Sequence, residues 1–463
     1  AQVNSELELD MRVLILGLTA CLLNGQARAL PLKKHIMHDK GHAGIGAVCL
    51  DGSPAGFYYS PATASHAAKT WQIYFEGGGW CYSELDCWGR ANNSQLGSST
   101  DWPETDSIDG LMSDDCSVNP DFCHAHRVEL SYCDGNSFSG DREEPLEVKG
   151  PDGVPKKIYF RGKRIVDAVL DTLLHDFGLQ DAEEILLTGC SAGGLAVYLH
   201  TDYVHRRLKK SVKGLQKFRA ASMSGIFPKH ANLVGEPVYE DQIKNIFYLS
   251  NASGGVDAKC IAAREPERQW ECNFAEIAYT YVDAPIFVFN SALDQFGLQC
   301  VFAAGYPTGF PNQSVVENGN CSAYQSWREC TQNPEKCSAD QVKVVDGYMS
   351  DFNATLAANP NYGRAGNGAF IGSCYTHCEA QMEGWNKIII NGKTIQQAFT
   401  AWWQSEMAPA SEHTYTPCLL RPDDTPHRCN PTCVDVGEPA LIQTREQRLK
   451  WRQERVDHAM LVM

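Results

Sequence analysis

Gly189-Cys190-Ser191-Ala192-Gly193 has the spacing that turns a serine into a nucleophile. An apolar run, Ile185-Leu186-Leu187-Thr188, precedes it, and an amphipathic segment from Leu195 to about Lys210 follows. Strand, tight turn and helix in that order present a hydroxyl on a strained elbow, where side chains at the flanking positions would strike neighbouring backbone. The helix N-terminus would then point its free amides at the negative charge formed when Ser191 attacks a carbonyl. Acyl transfer also needs N–H donors from a second segment. Glu76-Gly77-Gly78-Gly79-Trp80, directly after the apolar run Trp71-Gln72-Ile73-Tyr74-Phe75, has the composition for it. The donors expected are Gly78, Gly79, Trp80 and Ala192.

A serine elbow calls for an acid and then a histidine further along the chain. Pro285-Ile286-Phe287-Val288-Phe289-Asn290 is the strongest late strand pattern, and Asp294 closes it. Beyond it stand four histidines: His377, His413, His427 and His458. His458 lies in a polar tail, and His413 and His427 lie in Pro/Cys-rich terminal loops. His377 follows the short apolar run Ala369-Phe370-Ile371 and is flanked by Cys374 and Cys378, which could fix its loop. His377 is therefore the expected base, with Asp294 as the acid that orients it and stabilises its imidazolium.

The elements that must carry these residues share one grammar: an apolar run, a Gly- or Asp-bearing turn, then polar or helical sequence. Between the first two runs, Ile165, Val169, Leu173 and Phe177 recur at helical spacing over Arg164–Phe177. Alternation of this kind predicts an α/β fold of the α/β-hydrolase type, with a mostly parallel central sheet flanked by helices. Its chemistry would sit at the carboxyl ends of the strands. Two cysteine-rich stretches without clean periodicity, 116–133 and 321–337, read as disulfide-pinned loops over the catalytic face.

Composition bounds the setting. The chain has 463 residues with 43% apolar and 21% charged content, an ordinary globular balance. Nineteen cysteines, scattered and without finger-like Cys/His couples, point to disulfides made in an oxidising compartment and not to zinc. From Met11 the chain reads as a secretory signal, with an apolar run Val13–Leu23 before Ala27-Arg28-Ala29. That run is too short to span a bilayer comfortably. Removal of Cys21 with the signal leaves eighteen cysteines; with Cys190 as a free thiol, at least one other would be unpaired. The expected partition is residues 1–29 as upstream sequence and signal, 30–440 as one catalytic domain, and 441–463 as a charged tail with a solvated helix. Sequons at Asn92, Asn251, Asn312, Asn320 and Asn353 suit a secreted glycoprotein. A net charge of −16 argues against nucleic acid as a partner and gives no help in attracting a polyanionic polymer.

Several stretches together resemble the pectin acetylesterase/Notum family over roughly residues 40–435. They are Tyr132-Cys133-Asp134-Gly135-Asn136-Ser137-Phe138-Ser139-Gly140-Asp141, Phe160-Arg161-Gly162, Leu187–Leu195, Ser373-Cys374-Tyr375-Thr376-His377-Cys378 and Cys429-Asn430-Pro431-Thr432-Cys433. The resemblance implies a serine carboxylesterase using Ser191, Asp294 and His377, with an oxyanion loop at Gly78-Gly79-Trp80. It implies an acetylated cell-wall polysaccharide as substrate, most simply pectin, and neither metal nor cofactor. A deacylase of lipid-modified protein and a non-catalytic extracellular binding module on the same fold are the alternatives. The chain departs from the family at Met223 and Lys229, where acidic residues are usual, and this bears on the pocket more than on the chemistry.

Overall fold

The computed structural model describes residues 31–37, 46–305, 324–406, 409–416 and 430–433. The expected signal segment, the charged tail, His427, His458 and the sequons at Asn312 and Asn320 lie outside the described residues. A ten-stranded sheet forms the centre of the molecule. Its strands are β1 (Leu32–Ile36), β2 (Gly56–Ser60), β3 (Thr70–Phe75), β4 (Thr105–Asp106), β5 (His126–Leu130), β6 (Glu184–Cys190), β7 (Lys217–Met223), β8 (Ile286–Ser291), β9 (Gly368–Gly372) and β10 (Thr414–Tyr415). In space they run β10-β9-β8-β7-β6-β3-β5-β2-β1-β4. From β10 to β5 every pairing is parallel; β2, β1 and β4 extend that edge with antiparallel pairings.

The central strands are buried on both faces, so β3, apart from Gln72, and β8, up to Asn290, read as mainly apolar runs and not as alternating patterns. One face is covered by α2 (Gly162–Asp176) and α3 (Ala192–Ser211), following α1 (Glu84–Asn93) in the chain. Phe75 meets His200 of α3 with ring centroids 5.7 Å apart, and Tyr59 meets Phe177, just past α2, at 4.8 Å. On the other face Phe287 and Phe289 pack against Phe399 of α4 (Ile395–Gln404), at 5.8 and 5.5 Å. Burial of such side chains contributes roughly 1.5–3 kcal/mol each, which is what holds the layers together.

Chain order places the chemistry. After β3 the next parallel strand, β5, lies on one side, whereas β6 and its successors lie on the other. That reversal opens a crevice at the carboxyl ends of β3 and β6, the usual place for a ligand in an open parallel sheet.

Of the cysteine-rich stretches, 116–133 divides in two. Cys116 and Cys123 are bonded, and their loop packs against α4 and Trp385: Phe122 meets Trp403 at 4.9 Å and Trp385 donates to the Val118 carbonyl at 2.9 Å. Residues 126–130 are the central strand β5. The loops at the carboxyl ends are pinned by other bonds: Cys49–Cys133, Cys81–Cys87, Cys190–Cys378 and Cys374–Cys433. Cys260–Cys272 and Cys330–Cys337 close short loops elsewhere, and Cys300 is disulfide-bonded as well. Cys190 is thus no free thiol. Among the described residues no helix is long and apolar enough to cross a membrane.

Candidate active site

Ser191 sits between β6 and α3 at φ 60° and ψ −126°, a backbone conformation that an L side chain adopts only under constraint. The constraint is local packing. A Cβ on Gly193 would stand 2.0 Å from the Phe75 carbonyl oxygen, so the first turn of α3 can press against the end of β3 only with glycine there. The Ser191 N–H donates to the Met223 carbonyl at 2.9 Å, and its own carbonyl accepts from Leu195 at 2.9 Å. Helix α3 begins at Ala192, three residues ahead of the predicted start, so its free N-terminal amides stand immediately beside the serine.

Asp294 and His377 come together from the turns after β8 and β9. The ring Nδ1 lies 2.8 Å from one carboxylate oxygen of Asp294 and 3.0 Å from the other. Both side chains are almost fully buried. Asp294 also accepts the N–H groups of Phe296 and Gly297, at 2.9 and 3.1 Å. The two turns are laced to each other: Gln295 N–H donates to the Thr376 carbonyl at 3.2 Å, and Ser291 Oγ donates to the Cys374 carbonyl at 2.5 Å. The far nitrogen of His377, Nε2, is buried and has no hydrogen-bond partner. No hydrogen bond joins it to Ser191 here, but the Cys190–Cys378 bond ties the residue before the serine to the residue after the histidine. Catalytic hydrogen bonds are often long or absent before substrate arrives. His413 is at the opposite, amino-terminal end of the sheet, just before β10.

The Gly-rich segment follows β3 directly. Gly78 and Gly79 have φ of 141° and 63°, a geometry closed to most side chains. Among the described residues, no acceptor takes the N–H of Gly79, Trp80 or Ala192. Three donors left open next to a serine elbow suit a developing oxyanion. Trp80 itself is fixed by its indole N–H, which donates to Ser137 Oγ at 2.8 Å.

Aromatic rings crowd the same corner. Trp80, Phe227 and Phe296 form a mutually packed triangle with centroid separations of 5.1, 5.6 and 5.1 Å, and Phe296 lies 5.9 Å from the His377 ring. Met223 is fully buried at the end of β7. Lys229 reaches Glu240 and Glu271 at 3.4 and 3.5 Å and lies over the Trp270 ring. Glu379 is an acidic group near this corner that the sequence did not single out. Its carboxyl accepts from Ser224 Oγ at 3.5 Å, and the same hydroxyl accepts the Cys378 N–H at 2.9 Å. Burial, and then the Asp294 charge, push the Glu379 carboxyl up to about 7, offset in part by hydrogen bonding. Cys116, Cys123 and His124 cluster closely enough to suggest a metal site, but both sulfurs are committed to their disulfide.

Residues 26–434 match the model of the family described as pectinacetylesterase. Pectin acetylesterase 5 of Arabidopsis thaliana is 31% identical over 85% of this chain and 83% of its own length. The human palmitoleoyl-protein carboxylesterase NOTUM is 26% identical over 84% of this chain and 71% of its own. The solved structure of the Wnt deacylase Notum from Drosophila superposes with a TM-score of 0.65 at 23% identity, covering 88% of this chain and all of that one.

Proposed function

Since the chain belongs to the pectinacetylesterase family, we propose that it is a secreted serine carboxylesterase that removes acetyl groups from cell-wall polysaccharide, most simply pectin. The observation that carries the mechanism is the buried Asp294–His377 pair, whose free Nε2 belongs to the loop stapled to the serine elbow. Asp294 holds the proton on Nδ1, leaving Nε2 as the base. His377 takes the proton of Ser191 as Oγ attacks the ester carbonyl. The N–H groups of Gly79, Trp80 and Ala192, with Gly78 at the edge of the loop, receive the oxyanion. The alcohol leaves with the proton from His377, and water then hydrolyses the acyl-enzyme by the same steps.

The close-packed triangle of Trp80, Phe227 and Phe296 supports a short acyl group, because rings at van der Waals separation leave no slot for a long chain between them. The disulfides support an oxidising, extracellular setting. Hydrolysis of p-nitrophenyl esters from acetate to palmitate, with Ser191→Ala beside the wild type, tests the proposal. Activity should peak at acetate and vanish in the variant, and release of acetate from acetylated pectin should follow. A maximum at eight carbons or longer would move the substrate to a lipid ester on protein. Undiminished activity in Ser191→Ala would remove the assigned nucleophile.

A further inference from the structure

Two carbonyls of the oxyanion loop directly precede its donor N–H groups, and the structure shows what takes each. Arg90 of α1 donates from Nη2 to the Gly78 carbonyl at 2.7 Å. The Tyr132 hydroxyl donates to the Gly79 carbonyl at 2.8 Å. The direction of the second bond is settled by its neighbour: the Ser137 N–H already donates to the Tyr132 oxygen at 3.0 Å, so the phenolic proton goes to Gly79. Burial pushes the Tyr132 phenol far above its ordinary range, which keeps it a donor at neutral pH.

In a trans peptide the C=O and the following N–H point to opposite sides. Holding the Gly78 oxygen therefore aims the Gly79 N–H, and holding the Gly79 oxygen aims the Trp80 N–H. Both glycines have backbone freedom enough to let these peptides turn over, so external anchors are needed to keep the donors facing the site. The anchors are themselves secured. Helix α1 is tied to the loop by Cys81–Cys87, and the Tyr82 N–H donates to Asp86 at 2.7 Å. The Tyr132 N–H donates to Glu76 at 2.8 Å, and the Arg90 guanidinium lies 5.2 Å from the centre of the Tyr132 ring.

We propose that Arg90 and Tyr132 are positioning residues of the esterase reaction, which clamp two successive peptides so that the N–H groups of Gly79 and Trp80 are preset for the oxyanion. The inference rests on the hydrolytic reading above. Neither side chain is assigned contact with substrate, so their effect should fall on the tetrahedral state and spare ground-state binding.

Tyr132→Phe and Arg90→Met test this, read on p-nitrophenyl acetate and on a trifluoromethyl ketone. With the ketone, the Ser191 Oγ–C bond forms, the carbonyl π pair becomes the oxyanion, and the serine proton passes to His377. Each variant should lose about 10- to 100-fold in kcat with KM within about twofold. Affinity for the ketone should fall by the same factor, and thermal melting should show a folded protein. Arg90→Lys, which keeps a donor, should recover part of the loss. Should Tyr132→Phe fail to fold, the Arg90 variants carry the test. Folded variants with unchanged kcat, or with reduced kcat and unchanged ketone affinity, would overturn the clamp. An inert Ser191→Ala beside wild-type kinetics in Tyr132→Phe rejects the clamp alone; an active Ser191→Ala rejects the hydrolytic reading.

Discussion

Asp294 turns both carboxylate oxygens to one ring nitrogen and takes two backbone N–H groups on Oδ1, so the contribution proposed for it is orientation. Asp294→Asn should retain the fold and lower kcat about 10³- to 10⁴-fold, because an amide permits the wrong tautomer of His377. The measurement is kcat on p-nitrophenyl acetate beside a melting curve; a loss below tenfold would mean that another group orients the base. Ser191, Asp294 and His377 could be proposed from the sequence because local grammar marks them: an elbow, a strand end and a cysteine-flanked loop in a fixed order. Arg90, Tyr132 and Glu379 carry no such mark. Arg90 meets its partner 12 residues away, Tyr132 meets Gly79 across 53, and Glu379 meets Ser224 across 155. Contacts of that range exist only once the sheet has assembled.

At the scale of elements, the elbow depends on how closely α3 approaches β3. Gly193→Ala should destabilise the protein by about 3 kcal/mol or more, because its new methyl meets backbone that cannot yield. The readout is the denaturation midpoint of any protein recovered; a variant as stable as wild type would mean that α3 can shift. The runs that became β3, β6, β8 and β9 were visible because burial on both faces leaves them apolar. β5 was hidden inside a cysteine-rich stretch, since its alternation covers only Arg127-Val128-Glu129-Leu130 and marks Arg127 and Glu129 as solvent-facing, whereas both are in the interior. The pairing of Cys190 was equally hidden, its partner lying 188 residues away. Replacing both Cys190 and Cys378 by alanine should cost about 2–5 kcal/mol and lower kcat as the base loop loosens, seen by melting and by ester hydrolysis together.

For the molecule as a whole, buried acids set the response to pH. Glu379 and Glu276 are each raised to about 7, burial being the main cause. A carboxyl raised in the folded state binds its proton more tightly there than in the unfolded chain. Its stabilising contribution is complete below about pH 4.5 and is lost as pH rises through about 7. For Glu379 the span is worth about 3 kcal/mol. Wild-type melting temperature should therefore fall between pH 5 and 8, and Glu379→Gln should flatten that decline; identical slopes would place the cause elsewhere.

The cross-link between the neighbours of Ser191 and His377 also gives the molecule a history. A newly made chain holds every group the proposed reaction needs, but the loops of its serine and its histidine are held together by packing alone until an oxidant joins them. Full speed then arrives as an event, later than synthesis and dependent on surroundings. Such a catalyst would be slower and less stable wherever thiols are kept reduced. Selective reduction of this one cross-link should free two titratable thiols as activity falls.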